Sequence, residues 1–172
     1  MKITQALTGV IVFTIILLSS CNIKDNKKQN SADIVIYGGT SAGISAAIQS
    51  ARLGRSVILI EPTKRLGGLT TGGLGQTDIG NKQVIGGIAR EFYRNIKKHY
   101  DNPANWVWQS RSEYKDGGQT RTAEDEDAMW TFEPSAALDV YHDMIRDHDI
   151  TLVYEQRLNR ETGVSIVDNT IK

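Results

Sequence analysis

Apolar positions fall into a few regular stretches, and their periods set the expected elements. Ile34-Val35-Ile36-Tyr37 and Val57-Ile58-Leu59-Ile60 are short apolar runs rich in β-branched residues, which predict strands. Between them, the alanine-rich stretch from Ile44 to Leu53 has apolar residues at helical spacing. A second helix is predicted from Ala89 to Tyr100, with Ile88, Phe92, Tyr93 and Ile96 on one face and Lys97, Lys98 and His99 near its C-terminal dipole end. Core packing is expected of its aromatics, with a position of Phe92 or Tyr93 over a cofactor ring as the alternative. Glu133-Pro134-Ser135 opens a third helix running to about Asp147, whose apolar face is Ala137, Leu138, Tyr141, Met144 and Ile145. Asp149 to Tyr154 predicts a third strand, and Ser165 to Lys172 reads as one strand, an Asp168-Asn169 turn and the start of another.

Residues 101–133 have no sustained period, and Pro103, Gly117 and Gly118 break any long element there. Trp106, Trp108, Tyr114 and Trp130 are concentrated in this stretch, and the alternation of Trp106 and Trp108 suits a strand face. They form either an insertion folded over the core or a wall of a substrate entrance, stacking on a sugar or similar ring. Glu124-Asp125-Glu126-Asp127 matches no loop with defined cation ligands and reads as a solvated acidic loop. His142 and His148 are expected at the surface or as caps.

The stretch around which the rest is organised is the turn joining the first strand to the first helix, Gly38-Gly39-Thr40-Ser41-Ala42-Gly43. Strand, glycine turn, helix and second strand make the βαβ unit that binds dinucleotides. Gly38 allows a sharp turn, and Gly43 allows the helix to lie close to the sheet. The first amides and the positive dipole end of the helix then face a pyrophosphate. Glu61 ends the second strand, where a carboxylate accepts hydrogen bonds from ribose hydroxyls and repels a 2′-phosphate. Thr40 stands where the usual fingerprint has its middle glycine, with a hydroxyl able to donate to the phosphate. These features predict an α/β fold of doubly wound, Rossmann-like type, with strand order 3-2-1 built by two right-handed crossovers. The glycine turn and Glu61 share the carboxyl edge of its sheet.

A second glycine cluster, Arg65-Leu66-Gly67-Gly68-Leu69-Thr70-Thr71-Gly72-Gly73-Leu74-Gly75, follows the acid-bearing strand. A plain NAD domain has no need of it. With YGGTSAG, IEPTKRLGG, TTGGLGQTD and WTFEPSAA, residues 32 to 160 resemble a bacterial family of FAD-dependent oxidoreductases within the glutathione-reductase-like superfamily. The resemblance implies FAD as cofactor. It implies contacts from Gly38, Gly39, Thr40, Ser41, Ala42 and Gly43 in the first turn, and from Glu61 and Pro62 at the end of the second strand. From the second cluster it implies Arg65, Gly67, Gly68, Thr70 and Thr71 along the pyrophosphate and ribitol. Main-chain groups of Arg157 and Leu158, just after the third strand, are implied at the adenine.

Residues 1 to 21 stand outside the fold. Lys2, the apolar stretch from Leu7 to Leu18 and the small residues before Cys21 read as an export signal, and Leu18-Ser19-Ser20-Cys21 resembles the lipobox of bacterial lipoproteins. The implication is lipidation at Cys21 and residence in the bacterial cell envelope, with an ordinary anchor helix as the alternative. Residues 22–31 read as a flexible polar tether ahead of the domain from 32 to 172. One cysteine leaves no internal disulfide framework. Twenty basic against 20 acidic residues give no electrostatic case for nucleic acid. No nucleophile–base pair, redox dithiol or metal cluster is visible, so no metal and no catalytic residue is assigned. Ending within a hairpin, the chain reads as the N-terminal portion of a longer protein. The function expected is an FAD-dependent oxidoreductase acting on an unidentified small-molecule substrate, with a carbohydrate-related one as a candidate. An NAD-binding module, or an inactive lipoprotein fragment, is the alternative.

Overall fold

The structure is a computed structural model that describes residues 31–76, 79–123 and 125–172. Strands β1 (Ile34–Tyr37), β2 (Val57–Glu61) and β3 (Thr151–Tyr154) form one parallel sheet in the order β1-β2-β3. Helix α1 (Ser41–Arg52) crosses from β1 to β2, as the pattern predicted. It begins three residues before Ile44, because Thr40 caps it and Ser41 and Ala42 already have helical backbone. Helices α2 (Gly87–Asp101) and α3 (Pro134–Arg146) belong to the long passage from β2 to β3. The last strands, β4 (Ile166–Val167) and β5 (Thr170–Ile171), pair antiparallel around a turn in which Asp168 and Asn169 have positive φ. That is the hairpin expected from the Asp-Asn pair.

The three helices pack together, and α1 lies directly on β1 and β2. Their apolar faces close a core on Ile44, Ile48, Leu59, Ile96, Trp130 and Tyr141. Val35 and Tyr37, on the opposite face of the sheet, remain about half exposed. Phe92 stacks on Tyr141 at 4.6 Å and meets Phe132 edge-on at 5.5 Å, while Tyr93 lies 4.5 Å from Trp130. Phe92 and Tyr93 are both buried among other rings, which is the core packing expected of them. Arg52 at the end of α1 grips Glu91 of α2 through two hydrogen bonds of 2.7 and 2.8 Å and donates to His148 beyond α3. His142 bonds the Tyr154 hydroxyl at 3.0 Å. Both histidines thus tie elements together.

Two readings of the irregular passage are corrected. Trp106 and Trp108 do not lie on a strand, because the short 3-10 turn Pro103–Asn105 directs the chain into bends. Trp106 packs between Tyr100 and Tyr114, whereas Trp108 is 84% exposed. The acidic stretch is not simply solvated. Glu126 accepts from Lys82 at 2.9 Å and from the Trp130 indole at 2.6 Å, and Asp127 pairs with both Arg90 and Arg94. Lys82 and Arg90 also lie over the Trp130 ring, at 5.6 and 5.2 Å from its centre. Burial works against the Glu126 charge, but these donors outweigh it and hold the carboxyl below its usual range. Glu124 lies outside the described residues, as do the signal segment, Cys21 and the tether up to residue 30. Among the described residues, no helix is long and apolar enough to cross a membrane.

Candidate functional site

Gly38 leaves β1 with φ at 106°, a conformation that needs glycine, while its amide still bonds Ile60 across the sheet. The chain then folds back so tightly that a Cβ on Gly43 would lie 1.9 Å from the Gly38 carbonyl oxygen. That approach brings the start of α1 against the carboxyl end of the sheet. Thr40 Oγ1 accepts from the Gly43 amide at 3.3 Å and the Thr40 carbonyl from Ile44 at 2.8 Å. The amides of Ser41 and Ala42 precede the first intrahelical bond and lie at the positive dipole end.

The second glycine cluster closes over this turn. Gly67 donates to the Gly39 carbonyl at 2.7 Å, and the Ser41 hydroxyl bonds Thr70 Oγ1 at 2.9 Å. Gly67 has φ at 91°, and Gly68, also at positive φ, begins a short 3-10 turn over Gly68–Thr70. Arg65 donates through Nε to the Thr71 carbonyl at 2.7 Å and through Nη2 to the Pro134 carbonyl at 3.3 Å. It therefore braces the cluster against the start of α3.

Glu61 is only 6% exposed and joins the two segments. Its Oε2 accepts from the Gly39 amide at 2.8 Å, and its Oε1 from the Thr63 amide and hydroxyl at 2.7 and 2.6 Å. Burial raises the carboxyl's pKa, but these three donors, with Arg157 nearby, outweigh burial and leave it below the usual glutamate value.

A family model, FAD dependent oxidoreductase, matches residues 33–172. The chain belongs to the FAD-dependent oxidoreductase family. FAD is its cofactor. No protein of curated function matches the sequence. Among solved structures, a 3-ketosteroid-Δ4-(5α)-dehydrogenase from Rhodococcus jostii is similar at 16% identity and a TM-score of 0.45, over 80% of this chain and 40% of that one. L-proline dehydrogenase from P. horikoshii is similar at 15% identity and a TM-score of 0.41, over 83% of this chain and 48% of that one. The chain thus spans less than half of either enzyme.

The two glycine segments fit the diphosphate of FAD. The capped helix start offers amides, Thr40 and Ala42 are exposed on one side, and Gly68 and Leu69 are exposed on the other. Ser41 and Thr70 set a pair of hydroxyls between them. Glu61 fits a ribose less fully than its position at the end of β2 suggests. A carboxylate has about four acceptor sites, and three bonds from Gly39 and Thr63 occupy it already. That leaves one for a ribose hydroxyl. Pro62 is half-buried beside it. The Thr71 side chain is buried with its hydroxyl donating to the Leu66 carbonyl, so it faces the protein. The Arg65 guanidinium likewise bonds main-chain carbonyls. Leu158 lies just past β3, where its amide donates to the Tyr37 hydroxyl at 3.2 Å.

Three contributors were not singled out from sequence. Thr63 orients Glu61, and its place two residues after an acid in Glu-Pro-Thr is a turn signal that points to it. Leu66 is fully buried against Gly39, where any Cβ would lie 2.4 Å from it. Tyr37 holds the amide of Leu158, a pairing over 121 positions that no local pattern shows.

The cap at Thr40 gives a test. Thr40→Val keeps the shape and removes the acceptor of the Gly43 amide together with the donor available to phosphate. It should lower the stability of FAD-free protein by about 1 kcal/mol and weaken FAD retention. Thr40→Ser should behave as wild type, and Thr40→Gly should lose only a few tenths of a kcal/mol. Thermal unfolding and FAD retention after gel filtration are the measurements. Equal behaviour of the Val and Ser variants would show that the hydroxyl is idle.

Proposed function

We propose that the whole protein is an enzyme that oxidises a small-molecule, carbohydrate-related substrate. The observation that carries the reading is the closure of two glycine segments around the capped start of α1, a cradle for a dinucleotide extended beyond its first phosphates. FAD, when bound, would supply a two-electron acceptor for the hydride that the substrate loses together with a proton. The protein's own part is to hold and orient the cofactor. Thr40, Ser41 and Thr70 would hold the diphosphate, Glu61 would offer one acceptor to ribose, and Arg65 keeps the second cluster in place. Aromatic side chains of the irregular passage support a ring-shaped substrate. Phe132, in their midst, donates its amide to the Gly75 carbonyl at 2.9 Å, which joins that passage to the end of the second cluster.

The test is anaerobic titration of the flavin-loaded whole protein with reduced sugars and sugar alcohols. Bleaching of the oxidised flavin absorption by one of them is the expected result. A purified protein without flavin would refute the oxidoreductase reading. A flavin that no member of the series bleaches would remove the carbohydrate part of it.

We also propose that the protein resides in the bacterial envelope, held there by lipid on Cys21 alone. The Leu-Ser-Ser-Cys ending supports it. One acyl chain binds membranes only marginally, so more than one is expected. Mass spectrometry of the mature N-terminus should find a multiply acylated cysteine, and an unmodified Cys21 in membrane-extracted protein would leave the anchor helix instead.

A further inference from the structure

Beyond the cofactor segments, the irregular passage lines an open cavity of about 170 Å3. Its walls are locked. The Tyr100 hydroxyl donates to Glu133 Oε2 at 3.0 Å and accepts the Glu133 amide at 3.0 Å. The Trp106 indole donates to the Tyr100 carbonyl at 2.8 Å, and its ring lies 5.0 Å from Tyr100 and 5.4 Å from Tyr114. Trp108 stands at the rim with 84% of its surface exposed, and among the described residues no ring packs on it. A large, free aromatic face beside a prearranged aromatic wall marks a binding surface.

The polar groups select the ligand. Glu133, Asn105, Gln109 and Thr131 line the cavity, and no lysine, arginine or histidine does. A phosphate or carboxylate ligand would therefore meet Glu133 without a countercharge. A small cation would satisfy the carboxylate and leave the Gln109 amide unused. A neutral sugar ring matches what remains, its C–H face on Trp108 and its hydroxyls on the Glu133 carboxylate, the Gln109 amide and the Asn105 carbonyl oxygen, the Asn105 NH2 being held by the His99 carbonyl at 2.7 Å. We propose that this cavity is a subsite for a neutral hexopyranose, with Trp108 as the stacking platform and Glu133 as the hydroxyl acceptor. The proposal rests on the oxidoreductase reading only for its biological purpose, since sugar binding is measurable by itself. Thr131 and Phe132 of the wall pair with Gln76 and Gly75, so the subsite borders the segment that leaves the second glycine cluster.

The test uses the whole protein, with flavin content read first from its absorption. D-glucose, D-galactose and D-mannose are titrated in turn against tryptophan fluorescence, with D-glucuronate and tetramethylammonium as contrasting probes. At least one hexose should give a saturable change, and both charged probes should bind more weakly. Trp108→Ala, at an exposed position, should weaken hexose binding roughly three- to tenfold while flavin content stays unchanged, and Trp108→Phe should restore most of it. Flavin-loaded protein that binds none of the three hexoses overturns the subsite alone. So does tighter binding of a charged probe, or a Trp108→Ala variant that binds as wild type. Absent flavin with intact hexose binding instead defeats the oxidoreductase reading and leaves the subsite standing.

Discussion

Gly43→Val should yield a protein that neither holds FAD nor keeps the stability of the wild type. A Cβ at this position would lie 1.9 Å from the Gly38 carbonyl oxygen and 3.1 Å from its carbon, and both are backbone atoms of the turn itself. Contact with a flexible side-chain tip could be relieved by a rotamer change. Backbone contact requires either the helix to lift from β1 or the turn to open. Overpacking typically costs about 1–3 kcal/mol, and valine at this distance belongs at or above the top of that range. The Gly43 amide is also the one that Thr40 caps, so displacement breaks the cap as well. Gly43→Ala meets the same oxygen and should already lose flavin. Urea unfolding of FAD-free protein and flavin absorption after gel filtration measure the two effects. An alanine variant with unaltered stability and full flavin would show that α1 is not held against β1 at this point.

Glu61→Ala should weaken FAD binding roughly ten- to a hundredfold, about 1.5–3 kcal/mol for a charge-assisted hydrogen bond. It should also destabilise the protein with no FAD present. Removing the carboxylate leaves the Gly39 and Thr63 amides without their acceptor, in a site only 6% exposed. Glu61→Gln separates the two roles. Its amide oxygen still accepts from Thr63, but its NH2 opposes the Gly39 amide, donor against donor. The Gln variant should fall between wild type and alanine in both measurements. If alanine weakens FAD but leaves the free protein as stable as wild type, the carboxylate serves ribose alone.

The same tie has a pH dependence of defined sign. The Glu61 carboxyl is held below its ordinary value in the folded state, because donors from Thr63 and Gly39 outweigh burial. Its contribution is therefore complete above the unfolded-state pKa of about 4.3 and is lost as pH falls through the lower folded value. Wild-type stability should drop over that acid range, and Glu61→Gln should flatten the drop. A variant that retains the full acid dependence would place the titration elsewhere.

The sequence by itself determined the unit that matters most. Strand, glycine turn, helix and acid are consecutive, and each is dictated by a local requirement: a period, a positive φ at Gly38, a close approach at Gly43. Such demands fall on single residues and their neighbours, so they are readable without the rest of the chain. The second glycine cluster and the hairpin turn at Asp168-Asn169 were legible for the same reason. Tertiary structure alone decided how the side chains are used. Glu61 has its acceptors largely filled by Gly39 and Thr63, and Arg65 is spent on the carbonyls of Thr71 and Pro134, the latter 69 positions away. Glu126 and Asp127, acidic and loop-like in sequence, are neutralised by Lys82, Arg90 and Arg94 from elements that only folding brings near. Trp106 and Trp108, two positions apart and alike in type, end one half-buried and one exposed because bends replace the expected strand. Backbone conformation answers to neighbours in the chain. The partner of a charge or an aromatic face is whatever the fold places within a few ångströms, and no local pattern encodes it.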